Sequence, residues 1–261
     1  MNHVRVFFVG GLMSYRALFH WLNPGAYIFI LVAYPVFQTA FFVYLGRTAD
    51  VADDDFFLVG NAFAAASVAC LFGMGNSVGG ERRYQTLPMI LASPANRLVL
   101  FLGRAVPSIA NGFVVAALSY GLAALMLHLE IPAGRLGGIG LALLVSCFSC
   151  VGLGLCVGSL GFRTRSISLF ADTISGSFLV LTGANVPLDR LPGALQTLAD
   201  YLPLTHGIDA ARALGHGETI ANVLPSMGAE ALVGLAYFLV GLGMLRYFER
   251  DGRHAGSLDR F

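Results

Sequence analysis

The chain has 261 residues, of which 56% are hydrophobic and only 12% charged, about half the charged share of a soluble globular domain. One soluble core cannot hide that surplus of apolar side chains, so lipid must cover much of it. A net charge of +1 argues against a nucleic-acid partner held by bulk charge.

The chain opens with an arm, residues 1–23, that mixes Val6, Phe7, Leu12, Leu18, Phe19 and Trp21 with Arg5, Arg16 and His20. The three basic residues share one helical face, which predicts a helix lying in the membrane interface with Trp21 at headgroup level. An ordinary soluble amphipathic arm fits the same pattern. The apolar run Val6–Val9 has no clear small-residue cleavage site after it, so the arm is read as retained. Six apolar stretches come next that meet or approach the roughly 20 residues of a membrane helix, at 24–45, 56–80, 105–127, 136–162, 167–188 and 224–245. They are continuous rather than alternating, which predicts helices and not barrel strands. The expected fold is one all-α membrane domain over 1–261.

Arginine placement sets the expected orientation. With the N-terminus inside, twelve arginines fall on the inner side, and Arg47, Arg135, Arg190 and Arg212 fall outside. Both termini are then cytoplasmic. All sixteen basic residues are arginine. A GC-rich coding bias accounts for this, but its chemical consequence stands: no lysine is present for a Walker A phosphate loop or a Schiff base. An ATPase that drives this protein must be another chain. Cys70, Cys147, Cys150 and Cys156 lie in apolar stretches without metal-site spacing and read as small membrane residues.

Several features carry candidate function. In the fourth stretch Ala142, Ser146, Cys150, Gly154 and Gly158 form a small-residue ridge, read as packing inside the subunit in preference to a subunit interface. In the fifth, Arg165, Ser168, Asp172, Ser175 and Thr182 fall close to one helical face. A carboxylate in hydrocarbon costs about 2.5–3.5 kcal/mol on insertion scales, so Asp172 is expected to face the bundle interior or water, paired with an arginine. A proton relay is the alternative, though no second acid lies at its depth. Phe37, Phe41, Phe42 and Tyr44 enrich the first stretch in aromatics, facing lipid or packing, or else contacting an apolar substrate or a sugar ring. His206 and Asp209 are too few for a metal site, and Thr205 or Asp209 reads as a helix cap. Glu230 is expected near the outer interface with no special role.

The segment after the second stretch, Glu81-Arg82-Arg83-Tyr84-Gln85-Thr86-Leu87-Pro88-Met89-Ile90-Leu91-Ala92-Ser93-Pro94-Ala95-Asn96-Arg97, is charged at its ends and apolar between them. From the residues alone it is either a short helix that docks into a partner's groove or a solvated loop. Its Glu-Arg start, Thr-Leu step, Ser-Pro and closing Arg resemble the coupling segment of type-2 ABC (ATP-binding cassette) exporter permeases. The later run Asn185-Val186-Pro187-Leu188, Leu191-Pro192, Leu202-Pro203-Leu204-Thr205-His206, Ala210-Ala211-Arg212 is similar to that family's outer re-entrant segment. Gln85 stands where the family has Gly, and Pro88 interrupts the residues after the Thr-Leu step.

The resemblance implies a permease subunit with no cofactor of its own. A separate cytoplasmic ATPase would bind ATP and Mg, and a second permease subunit, identical or related, would complete a dimer in the cytoplasmic membrane. Glu81, Arg82, Arg83, Thr86, Leu87, Ser93, Pro94 and Arg97 would then couple to the ATPase. Ser168, Asp172, Ser175, Thr182 and Phe41 would line the route, and 189–216, with Pro203, Leu204, Thr205 and Arg212, would form the outer re-entrant segment. A small hydrophobic compound or drug is the expected cargo, with a glycolipid or polysaccharide as alternative. An ATP-independent channel or proton-coupled transporter would want more interior ionisable residues, and an intramembrane enzyme a catalytic constellation within the spans. Single cysteines placed at Asp54 and at Ser93 should react with an impermeant maleimide from opposite faces of the membrane; labelling of both from one face would overturn the topology.

Overall fold

The computed structural model describes residues 25, 29, 33–83, 97–129, 133–161 and 167–255. The arm at 1–23 lies outside these. Among the described residues regular structure is helical, without strands. Helix α1 (Tyr34–Ala49) has Pro35 in its first turn, where a missing N–H breaks no helical bond, and it ends at Asp50, whose φ of 50° is left-handed. Helix α2 (Asp54–Arg83) begins a few residues later, with Asp54 and Asp55 in the first turn, where free N–H groups favour negative charge. Helix α3 (Arg97–Leu127) contains Pro107, and a 3-10 turn at Ala133–Arg135 leads into α4 (Leu136–Leu160). Then come α5 (Ile167–Leu181), a 3-10 turn at Leu188–Arg190, α6 (Gly193–Ala199), α7 (Thr205–Gly215) and α8 (Ile220–Ala255).

Among the described residues four helices are long and apolar enough to cross a membrane: Asp54–Gly80, Val99–Leu127, Leu136–Leu160 and Ile220–Phe248. They correspond to the second, third, fourth and sixth expected stretches. The third starts earlier than expected because Arg104 does not end it: its guanidinium donates to the Ser77 carbonyl of α2 and the helix runs through. The fifth expected stretch, 167–188, leaves the helix after Leu181. Gly183 takes φ +77° with Leu188 packed beneath it, a backbone turn that excludes further helix.

The first expected stretch, 24–45, is described at 25, 29 and from 33 onward. Described helix α1 has 16 residues, or about 24 Å, short of the hydrocarbon thickness. Gly46 and Val43 lie against Phe57, Gln38 bonds Asn61, and Val36 packs on Ala123 and Ala124. These partners belong to the first turns of α2 and the last turns of α3, so the described part of α1 packs at that end of the bundle.

The core sits between α2 and α4. The ridge on α4 packs inside the subunit, as its sequence suggested. A Cβ on Gly154 would lie 3.0 Å from Met74 Cβ, and one on Gly158 would lie 3.0 Å from the Gly75 carbonyl oxygen, both on α2. A second small-residue face on α4 meets α8. Here a Cβ on Gly234 would come 2.8 Å from Ser149 Cα, and one on Gly152 2.7 Å from the Gly234 carbonyl oxygen. All four cysteines are free thiols and buried. Helix α3 backs onto α2, and α5 lies along it. The outward faces of α3 and α8 carry exposed Leu118, Leu122, Leu125, Leu232, Leu235 and Leu239, a surface suited to hydrocarbon.

The four arginines expected outside all lie at one end, near the α1–α2 turn. Arg47 pairs with Asp54, and Arg190 Nη2 donates to the Val51 carbonyl at 3.2 Å. Arg135 Nη1 donates to Gly215 O at 2.6 Å, and Arg212 Nη2 to Phe56 O at 2.9 Å. Segments far apart in sequence thus meet at the end of the bundle that carries Asp50.

Two glycines of α8 test the close approach. Gly234→Ala should lower stability by about 1–3 kcal/mol, because backbone blocks the new methyl. Gly243 has nothing within 4 Å, so Gly243→Ala should be neutral or stabilise by up to about 1 kcal/mol. Thermal unfolding in detergent reads both signs, and equal shifts would refute the packing.

Candidate functional site

Three regions hold the residues singled out by sequence. At the end opposite Asp50, the apolar part of α2 stops at Gly80 and that of α3 begins at Val99. Glu81, Arg82 and Arg83 extend α2 by a further turn, and Arg97 opens α3. The connection between them, with Thr86, Leu87, Ser93 and Pro94, lies outside the described residues. Two features near this end escaped the sequence reading. Arg104 ties α3 to α2 through Ser77 and lies 5.3 Å from the Phe101 ring centroid. Gly79 sits beneath the Ile167 side chain, and a Cβ there would lie 3.1 Å from the Gly158 carbonyl oxygen, so the end of α2 is wedged between α4 and the start of α5. Helix α2 packs in turn on α1, α4 and α5.

The second region is α5. The expected stripe divides. Ser175 and Thr182 are buried, in line with Ile167, Ala171 and Phe178, whereas Ser168 and Asp172 lie on the open face. Asp172 therefore does not face the interior of its own subunit, and it has no ion pair with a described residue. The stripe carries both faces because a turn takes 3.6 residues: positions that looked aligned straddle the edge of the buried side. On α1, Phe37, Phe41 and Tyr44 are exposed together with Tyr34, at spacings of three, four and three residues, and form one aromatic stripe. Phe42 is turned away from it and packs in the Phe57 cluster.

The third region is the segment after α5. A buried amide pair joins it to α2: Asn61 Nδ2 donates to Asn185 Oδ1 at 2.7 Å, and Gln38 of α1 donates to Asn61 Oδ1 at 3.1 Å. Asn61 is only 1% exposed. An asparagine inside an apolar run was the available signal, since a buried amide needs partners. Arg212 of α7 reaches two carbonyls, Phe56 O and Ala184 O at 3.1 Å, and its guanidinium lies 3.5 Å from the Phe56 ring centroid. Burial lowers its pKa to about 10, against the opposing pull of Asp209, so it stays charged at neutral pH.

The start of α7 corrects two expectations. Neither Thr205 nor Asp209 caps it. The residue before the helix is Leu204, with φ of 80° and no side-chain bond of its own. The cap comes from α8: Leu204 N–H donates to Glu230 Oε1 at 2.8 Å and Gly207 N–H to Glu230 Oε2 at 3.3 Å. Glu230 is 0% exposed, and its bonds to the start of α7 give it the role the sequence reading denied it. A non-glycine residue at positive φ costs on the order of 1–3 kcal/mol. Both unfavourable features, the strained residue and the sequestered carboxylate, persist because each satisfies the other. Pro203 ends the turn before it, and Leu204 and Thr205 are buried. His206 Nε2 lies 2.9 Å from Asp200 O. Among the described residues no group of three His, Cys, Asp or Glu stands ready for a metal.

These regions hold polar contacts between helices, and the exposed face of α5 carries Ser168 and Asp172 beside Leu169 and Phe170. Residues 13–214 match the ABC-2 type transporter family of membrane proteins. Nodulation protein J of Rhizobium leguminosarum bv. viciae is 27% identical over 213 residues, covering 78% of each chain. Nodulation protein J of Rhizobium leguminosarum bv. trifolii is 26% identical over 239 residues, covering 87% of this chain and 84% of its own. The "Probable multidrug ABC transporter permease YbhR" of Escherichia coli (strain K12) is 29% identical over 136 residues, 51% of this chain and 36% of its own. A helical bundle with apolar outward faces, matched to one family over residues 13–214, is a multi-pass membrane permease subunit: the chain belongs to the ABC-2 type transporter family.

Proposed function

We propose that this chain is the membrane half of an ATP-driven exporter. A separate ATPase subunit binds ATP and Mg and docks at 81–97, and two permease subunits enclose the route. The chain crosses the membrane six times, with α1 and α5 joining the four long helices, and 189–216 dips back from the outer face. Asp172 carries this reading. It lies about 8 Å along α5 from Ile167, on the open face of a single subunit. A carboxylate at that depth is costly against acyl chains and acceptable against water. A second subunit that faces α5 across a hydrated route supplies the water. ATP drives export through such a pair only if the ATP-bound and ADP-bound partners favour different states of it.

A small hydrophobic or amphiphilic compound suits an apolar route with a polar stripe, and the multidrug name of the YbhR relative supports this class. The aromatic stripe of α1 favours a second reading, a glycolipid, whose sugar rings would stack on Phe37, Phe41 and Tyr44 while Asp172 and Ser168 take its hydroxyls.

Two measurements check the proposal. Reversing charge at both Arg82 and Arg83 should weaken association with the ATPase by at least about tenfold, or ~1.4 kcal/mol, and lower stimulated hydrolysis; unchanged binding and unchanged stimulation would count against docking there. Asp172→Leu should leave the complex assembled and sharply lower transport in reconstituted vesicles, whereas transport at the native rate would remove α5 from the route.

A further inference from the structure

A helix normally carries its own cap, a Ser, Thr, Asp or Asn just ahead of its first turn, and that cap moves with it. Helix α7 does not. Leu204 holds the position, and the N–H groups of Leu204 and Gly207 are received by Glu230, 26 and 23 residues away on α8. Gly207 lies so close to Ser146 of α4 that a side chain there would collide with the hydroxyl. The first turn of α7 is thus seated in a notch whose floor is α4 and whose acceptor is α8. Its other end is held elsewhere: Arg212 bonds Phe56 O at the head of α2 and Ala184 O in the turn after α5.

A remote cap makes the start of α7 conditional on where α8 stands. We propose that Glu230 is a positioning residue that fixes α7, and with it the outer segment, to α8, so that the two move as one body during export and release of α7 from α2 at its Arg212 end opens the exit. The gating part of this inference rests on the exporter reading above; the tie between α7 and α8 does not. Glu230 touches no cargo in this arrangement. It acts through the backbone it holds.

The test uses the full-length chain with Glu230→Gln and Glu230→Ala. Glutamine keeps the size and one acceptor oxygen but sets an NH2 against the second N–H donor. Hydrogen exchange in detergent should show the amides of 204–208 opening at least about tenfold faster in Glu230→Gln than in the native protein, with those of 62–70 in α2 unchanged. In vesicles holding the complete complex, Glu230→Gln should lower cargo moved per ATP hydrolysed by about threefold or more while ATP hydrolysis stays within about twofold. Unchanged exchange at 204–208 in both variants would overturn the tie. Transport and hydrolysis falling together would reduce Glu230 to a folding role and overturn the gating part. If the native complex moves no cargo on ATP, the exporter reading falls and gating falls with it, while the exchange measurement still decides whether α7 is held by α8.

Discussion

Backbone proximity along both sides of α4 is the constraint on which the rest of this bundle depends. Lipid tails are as apolar as leucine, so helices in a bilayer gain little by hiding apolar side chains from one another and associate through close van der Waals fit and interhelical hydrogen bonds. Glycines 154 and 158 bring α4 against α2, and Gly152 with Gly234 and Gly241 brings it against α8. Sulfur and hydroxyl groups can also bond neighbouring carbonyls at this range: Ser159 Oγ donates to Leu155 O within α4 and reaches Gly241 O on α8, and Cys156 Sγ bonds Tyr237 O. With α2 packed on one side of α4 and α8 on the other as a slab, α3 and α5 take the remaining faces of α2, and α1 packs at the Asp50 end.

That slab sets where polar groups can meet. The Asp50 end holds the Asn61–Asn185 amide pair, Arg212 on its two carbonyls and Glu230 under α7. Each contact joins residues more than about twenty positions apart in the chain, and each satisfies a donor or acceptor that is expensive to bury alone. The polar groups of α5 are treated differently. Ser175 and Thr182 face inward, and Thr182 bonds its own helix at Phe178 O. Asp172 is left on the open side. Within one subunit, then, the end contacts are closed and the α5 face is unfinished.

Much of this was legible in sequence. Continuous apolar runs gave the four long helices, because hydrocarbon thickness fixes their length. The every-fourth-residue small ridge on α4 pointed to packing inside the subunit, since period and residue size are both local facts. The four arginines expected outside do group at one end. The second face of α4, with Ser149, Gly152, Cys156 and Ser159 at spacings of three, four and three, carried the same kind of signal and went unread. What else escaped depended on partners remote in sequence. Glu230 looked like an interfacial acid because its two donors belong to a turn 23 and 26 residues earlier. The stripe on α5 divided because a helical wheel shows which residues align, not which edge of the stripe a neighbour covers. Thr86, Leu87, Ser93 and Pro94, expected to couple, lie outside the described residues.

Arg212 gives the missing lysine a meaning beyond codon usage. Its flat cation lies over a benzene ring while one amino group bridges two peptide oxygens from different parts of the chain. A lysine, with a single tetrahedral head on a flexible stem, has no plane to lay on that ring and loses more rotational freedom in reaching the same oxygens. At this joint the two basic residues are not interchangeable.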